Sequence, residues 1–381
     1  MDKGTACPVG SDNLAPVPWW SNSFDNGEAE AARKAVASKN LSQGPIVLEF
    51  ERQIGQFLKT GSVIATTSGT DALVLSLTAL GIGQGDEVLV PDRTWIATAH
   101  AVHAVGATPV FIEVEPKRPV IDMTSLGESL TPRTKAVITV HMNGRDAHSQ
   151  ELESFCAGHG LLMLEDAAQA LGASNARGFL GCQSVAGIFS LSVAKVIASG
   201  QGGFVVTNDD ELAERLRAIR THGVENVLTA KWQMAGLNFR FTDVLASIAL
   251  VQLALLPERL DRLREIYRRY ARGLADIGAV ALIEEDLDAG EIGPYIEVLV
   301  ENRATWVKEL ADRGIETREF YPQLRVANYW RPPSRPYSST FENSDKFATM
   351  GLYLPSGPSL TDPQIDRTLA ALHEVSRKLG S

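Results

Sequence analysis

GIGQGDEVLVPDRTWIATAHAVHAVGATPVFIEVE, residues 81–115, holds two kinds of apolar pattern in a short space. EVLVP (87–91) is a near-continuous apolar run after a glycine-rich turn, which reads as a strand covered on both faces. IATAHAVHAV (96–105) reads as a helix, and TPVFIEV (108–114) as a second buried strand. A strand, a helix and another strand at this spacing form a βαβ unit, so the two strands run parallel. The glycines of GIGQG look like part of a dinucleotide fingerprint, but they precede a strand instead of following one, so they read as a turn.

The same alternation extends outward. KAVITV (135–140), LLMLED (161–166), GIFSLS (187–192) and GFVVT (203–207) read as strands, with helices near 26–38, 46–58, 71–80, 150–159 and 210–220. The fold class is α/β with a mainly parallel sheet flanked by helices. Pro257 marks a break and fits the first turn of a helix. In that helix Leu260, Leu263, Tyr267, Tyr270 and Leu274 share one stripe with arginines opposite. It separates a large domain, residues 1–256 with the N-terminal segment, from a smaller α+β C-terminal domain, residues 257–381. Residues 318–343 read as a long irregular connection, and Thr361-Asp362-Pro363 announces a last helix.

The formal net charge of −10 argues against a nucleic-acid partner and gives no reason to expect membrane docking. Cys7, Cys156 and Cys182 lie far apart without CxxC spacing, which speaks against a disulfide framework and a zinc site and fits a cytoplasmic setting. His100, His103, His141 and His148 form no convincing metal-ligand pair, so no metal is expected. The N-terminus lacks the apolar core of a signal peptide. The longest apolar stretch, Val244 to Leu256, is too short to span a bilayer and reads as a buried helix.

Three segments carry chemistry. In TTSGTDAL (66–73) a Ser-Gly-Thr turn opens a helix; its free N–H groups suit a phosphate, though an ordinary helix cap has the same look. LLMLEDAAQALGA (161–173) delivers Glu165, Asp166 and Gln169 at a strand's carboxyl end, where open α/β sheets bind ligands. A carboxylate buried there needs a cationic partner, which a protonated pyridine nitrogen would supply; Asp166 could instead cap the next helix. In GIFSLSVAKVIASGQGGFVVT (187–207), Lys195 sits in a glycine-rich loop behind Ser190 and Ser192. Crowding there would depress its pKa and favour the nucleophilic amine, unless it is simply a surface lysine.

Taken together with GPIVLEFE, GATPVFIEVE, LTPRTKAVITVH, GQGGFVVTNDDELAERLRAIRTHG, GLNFRFTD and GIETREFYP, these segments resemble, in order, the sugar aminotransferases of the DegT–StrS type. The resemblance covers residues 25 to 325, more weakly to the end. It implies a pyridoxal phosphate (PLP) enzyme of fold type I, with a seven-stranded type of sheet in its large domain. It implies that Lys195 holds PLP as a Schiff base, Asp166 pairs with the pyridine nitrogen, Gln169 meets the ring hydroxyl and Trp95 stacks on the ring face. Gly69, Thr70 and Ser190 would hold the phosphate. Asn238 would reach the phosphate of a neighbouring subunit, making a homodimer with shared active sites. Trp95 as a core tryptophan and Asn238 as a turn residue are the plainer alternatives. His222 and Arg240 lie in matching segments without a firm role, and a structural role suits His222 better. The implied reaction moves an amino group from L-glutamate to a keto-sugar, most simply a nucleotide-linked one in polysaccharide or antibiotic-sugar synthesis.

The chain departs from the family pattern at Arg93, in HMNGRDAHS (141–149) and at Arg325. These positions would lie where the acceptor binds. Arg325, with Arg93, Arg331 or Arg335, could take an anionic group of the acceptor, a diphosphate or a sugar carboxylate, or could be part of a solvated loop. Two further readings stay open: the same chemistry on a free keto-sugar acid or a cyclitol ketone, and a PLP-binding regulatory protein without turnover.

Overall fold

The computed structural model describes residues 15–224, 234–334, 337 and 340–380. The apolar runs of the first half become β1 (Ser62–Thr66), β2 (Glu87–Pro91), β3 (Thr108–Ile112), β4 (Thr134–Val140), β5 (Leu162–Asp166), β6 (Ser174–Asn175), β7 (Gly178–Phe179), β8 (Ala186–Ser190) and β9 (Gly203–Thr207). All but β6 and β7, which pair with each other, form a seven-stranded sheet in the order β1-β9-β8-β5-β4-β2-β3. The pairs from β8 to β3 are parallel. Only β9 runs against its neighbours, β8 and β1.

Every residue of β2 and β9 is buried, which is why these strands read as unbroken apolar runs. Alternate side chains feed two cores. Ile64 packs with Leu73, Val102 and Leu216 under the helices Gly69–Ala79, Ala97–Ala104 and Asp210–Arg220. Its neighbours Val63 and Ala65 turn the other way, toward Phe50 and Phe204 under the helices Pro45–Leu58 and Asp243–Ala254.

Pro257 does lie in the first turn of a helix, Leu256–Leu274, and all five residues of the expected stripe are buried. That helix packs with the helices Arg303–Ala311 and Asp362–Leu379 on a second sheet. This sheet is antiparallel, ordered β10 (Val280–Leu282), β11 (Ile296–Val300), β13 (Gly351–Leu354) and β12 (Arg318–Glu319). The last helix is closed by a reciprocal cap between Thr361 and Gln364. No helix among the described residues is long and apolar enough to cross a membrane.

The N-terminal segment, grouped above with the large sheet, runs instead along the small one. Val17 donates to Gly314 O at 2.9 Å and accepts from Glu316 N–H at 2.9 Å, and Trp20 bridges to Ser356. Extended backbone finds its hydrogen bonds there, and Trp19 is carried to the boundary between the two sheets.

HMNGRDAHS builds a joint across that boundary. Asn143 is left-handed (φ 56°, ψ 30°) in the turn after β4. Its amide donates to Tyr295 O and Glu285, both at 2.8 Å, and accepts Tyr295 N–H at 2.7 Å. Arg145 is fully buried between Glu285, at 2.5 Å, and Glu297. Burial pushes the Glu285 carboxyl well above its usual range, against the pull of Arg145. The segment placed above near the acceptor is therefore chiefly a polar weld between domains. Arg145→Met, which strands two buried carboxyl groups, should cost about 3–5 kcal/mol in urea unfolding. Adding Glu285→Gln and Glu297→Gln should restore most of it; a single variant as stable as the wild type would refute this role.

Candidate active site

The carboxyl ends of β1, β4, β5 and β8 open on one cavity of about 300 Å³. This is the edge at which parallel sheets place ligands. Lys195, Asp166, Gln169, Trp95, Gly69, Thr70 and Ser190 all line it. Residues scattered over more than a hundred positions are thus brought together by strand order alone.

Strand parity selects the carboxylate. Glu165 and Asp166 are consecutive on β5, so they face opposite ways. Glu165 turns from the cavity and accepts from Gly181 N–H at 2.9 Å, Gln183 N–H at 2.8 Å and the His141 ring at 3.0 Å. Asp166 turns in. Its Oδ2 accepts from Thr98 Oγ1 at 2.7 Å and its Oδ1 from Ala168 N–H at 3.1 Å. No cation among the described residues makes an ion pair with it. Burial raises the Asp166 carboxyl above its usual range, with the Thr98 hydrogen bond and the Lys195 charge pulling the other way. A buried carboxyl group with two neutral donors and no cation fits the protonated nitrogen of a pyridine ring.

Lys195 lies in the loop after β8. Burial lowers its amine from 10.5 to about 8; nearby Asp166 opposes this and Arg318 adds to it. The loop is held from several directions. Tyr295 Oη donates to Ala194 O, Asn22 Nδ2 to Lys195 O at 3.5 Å and Arg259 to Val196 O at 2.9 Å.

At another end of the cavity the helix Gly69–Ala79 begins. Ser68 caps Asp71 N–H at 3.0 Å, leaving the N–H groups of Gly69 and Thr70 at the cavity. The approach is tight. A Cβ on Gly203 would stand 2.5 Å from Gly69 N, and one on Gly69 would stand 3.0 Å from Ser190 Cβ. Glycine at both positions leaves a cradle of N–H groups and a hydroxyl at a helix start, which fits a phosphate. Gln169 Oε1 is taken by Asn143 N–H at 2.9 Å, so its Nε2 is left to face the cavity as a donor. Trp95 is 47% exposed at the rim, edge-on to Tyr321 at 4.8 Å, and is no core tryptophan.

Of the other residues brought forward by the sequence, Ser192 lines this cavity, whereas Arg93, Arg325, Arg331, Asn238, Arg240 and His222 do not. Arg93 is 1% exposed, stacked 4.2 Å over Phe320, with Nη2 toward Tyr353 Oη at 3.5 Å. Arg325 is spent on Asp92 and Asp345 and lies 4.5 Å over Phe341. Arg331 donates to the carbonyls of His103 and Ala107 at 3.1 and 3.0 Å. Arg335 lies outside the described residues. Asn238 is exposed, bridged to Thr221, and accepts from Arg240 Nε at 2.8 Å. His222 is a turn residue with φ 61° whose N–H donates to Leu237 O.

Trp19, Tyr295, Arg318 and Tyr321 also line the cavity and were not foreseen. Arg318 stood inside GIETREFYP, but nothing in the string ranks it above Arg325 or Arg331. What ranks it is that the other two already have partners.

The profile of the DegT/DnrJ/EryC1/StrS aminotransferase family matches residues 22–373. GDP-perosamine synthase of Caulobacter vibrioides is 34% identical over 344 residues, 88% of this chain and 91% of that protein. The dTDP-3-amino-3,4,6-trideoxy-alpha-D-glucose transaminase of Streptomyces venezuelae is 34% identical over 354 residues, 92% of this chain and 93% of that protein. The crystal structure of S. venezuelae DesV in complex with a ketimine intermediate matches with a TM-score of 0.90 at 33% identity, over 95% of this chain and 99% of that one. The chain belongs to the DegT/DnrJ/EryC1/StrS aminotransferase family and is a PLP-dependent aminotransferase.

Proposed function

We propose that this aminotransferase moves an amino group from L-glutamate to a keto-sugar carried on a nucleotide. The observation that carries the reading is the pair Lys195 and Asp166: an amine biased toward its neutral form and a buried carboxyl group without a cation, in one cavity. PLP, when bound, supplies an electron sink for the carbon that loses or gains a proton. The residues of the chain do the rest. Lys195 is the attachment point and, once displaced by a substrate amine, takes and returns the proton at the substrate carbon. Asp166 keeps the ring nitrogen protonated, Gln169 donates to the ring hydroxyl, and Trp95 covers the ring face. Gly69, Thr70 and Ser190 hold the phosphate.

The cavity is near the lower end for small-molecule sites. A nucleotide carried on the sugar would therefore extend beyond it. The names of the two enzyme relatives, one GDP-linked and one dTDP-linked, support a nucleotide-bound acceptor. Such an acceptor fits synthesis of a surface polysaccharide or an antibiotic sugar. The reading includes a homodimer in which Asn238, exposed and outside its own cavity, is lent to a neighbour's phosphate site. A monomeric enzyme in solution would contradict this.

Adding L-glutamate to the purified holoenzyme should abolish the visible band of bound PLP and release one equivalent of 2-oxoglutarate. A nucleotide-linked keto-sugar should then restore the band. No response to L-glutamate, or recovery only with unlinked ketones, would overturn the corresponding part of the reading. The Lys195 amine also sets a pH dependence. Only its neutral form attacks the aldehyde, and its pKa is depressed to about 8. Capture of PLP by the apoenzyme should therefore speed up as pH rises toward 8 and level off above it. A rate still climbing up to the ordinary lysine range would contradict this.

A further inference from the structure

Arg318 is the cation in the cavity that nothing else employs. Its backbone pairs with Tyr353 as the short strand β12, and its side chain is half-buried along the cavity wall. The guanidinium carbon lies 4.9 Å from the centre of the Trp19 ring and 5.1 Å from that of Tyr321. Among the described residues no carboxylate, carbonyl or hydroxyl hydrogen-bonds it. Two aromatic rings hold a guanidinium without consuming its N–H donors. The group is therefore fixed between Trp19, remote in the chain, and its near neighbour Tyr321, and yet keeps its fork of donors free. Its charge is felt at Lys195, whose amine it helps to drive toward the neutral state.

We infer that Arg318 binds the α-carboxylate of the amino donor, and that this contact distinguishes the donor from the keto-sugar. The inference rests on the proposed function, in which the donor is an α-amino acid. The geometry of the substrates decides which anion the arginine meets. Lys195 must reach the carbon that carries the amine. In an α-amino acid a carboxylate is bonded directly to that carbon, so a cation on the wall of the cavity that Lys195 also lines is placed to meet it. In a nucleotide-linked keto-sugar the nearest anion is the diphosphate on the anomeric carbon, several bonds from a ketone carbon seated at Lys195. The same cation cannot serve it there. A carboxylate accepts two parallel N–H bonds from a guanidinium, a match that an alcohol or ketone does not offer.

A second consequence follows from the charge. An arriving carboxylate neutralises Arg318 and removes its push on Lys195. The lysine is then a stronger base with the donor bound than without it, at the moment when it must remove a proton.

The test compares the holoenzyme with R318M and R318K, using L-glutamate and its 1-amide, which keeps the side-chain carboxylate but lacks the α-carboxylate. Each half-reaction is followed separately by the loss and recovery of the PLP band. In R318M the half-saturating concentration of L-glutamate should rise about 10- to 100-fold, the size of a charged hydrogen-bonded contact. That of the 1-amide should barely move, R318K should fall between, and the keto-sugar half-reaction should be nearly unchanged. An unaltered PLP spectrum before substrate addition shows that the variants fold. If the wild type reacts with no α-amino acid, the proposed function fails and this assignment with it. If it reacts with L-glutamate but R318M still discriminates acid from amide as the wild type does, only the assignment to Arg318 fails. Selective loss of the keto-sugar half-reaction would place Arg318 on the acceptor instead.

Discussion

A carboxyl group and an amine, both drawn away from water and not in contact with each other, set the terms for this site. Burial raises the Asp166 carboxyl above its usual range and lowers the Lys195 amine to about 8. Each is thus harder to keep charged than in water, and the two form no ion pair with each other. A pyridinium ring would relieve the first group, and a carbonyl carbon would take up the second. A single ligand could thus answer both groups at two of its atoms. The cradle made by Gly69, Thr70 and Ser190 would offer it a third point of attachment.

Keeping such a pair apart requires stiffness, and both domains provide it. The Lys195 loop is held by a hydroxyl from Tyr295, an amide from Asn22 and a guanidinium from Arg259. Asn143 ties Gln169 to Tyr295, just before β11, through its own left-handed turn. Arg145, between two carboxyl groups, fastens the same turn to the small sheet. Small movements of one domain would therefore reach the cofactor side of the cavity directly.

Much of this was legible from the sequence where the determinant is local. Buried parallel strands announce themselves as apolar runs, and β9 and the helix Asp210–Arg220 fall where they were read. The opposite facing of Glu165 and Asp166 follows from strand period alone, once β5 is placed. The arginines were a different matter. Arg325 and Arg318 are alike on paper, and their fates depend on Asp92 and Asp345 for the one and on Trp19 and Tyr321 for the other, of which Asp92 and Trp19 come from remote parts of the chain. Arg93 was read as a departure toward substrate, yet it is sealed behind Phe320. The N-terminal segment carried no periodic signal, because its hydrogen bonds go to the small sheet and not to itself.

Among the described residues, Lys195 is the one lysine that lines the cavity, and so the amine placed to join the cofactor. Borohydride reduction of the holoenzyme, followed by digestion and mass spectrometry of the peptides, checks this placement. A single pyridoxyl-phosphate adduct is expected on Lys195, and none in Lys195→Ala. An adduct on another lysine, or one that persists in Lys195→Ala, would contradict it.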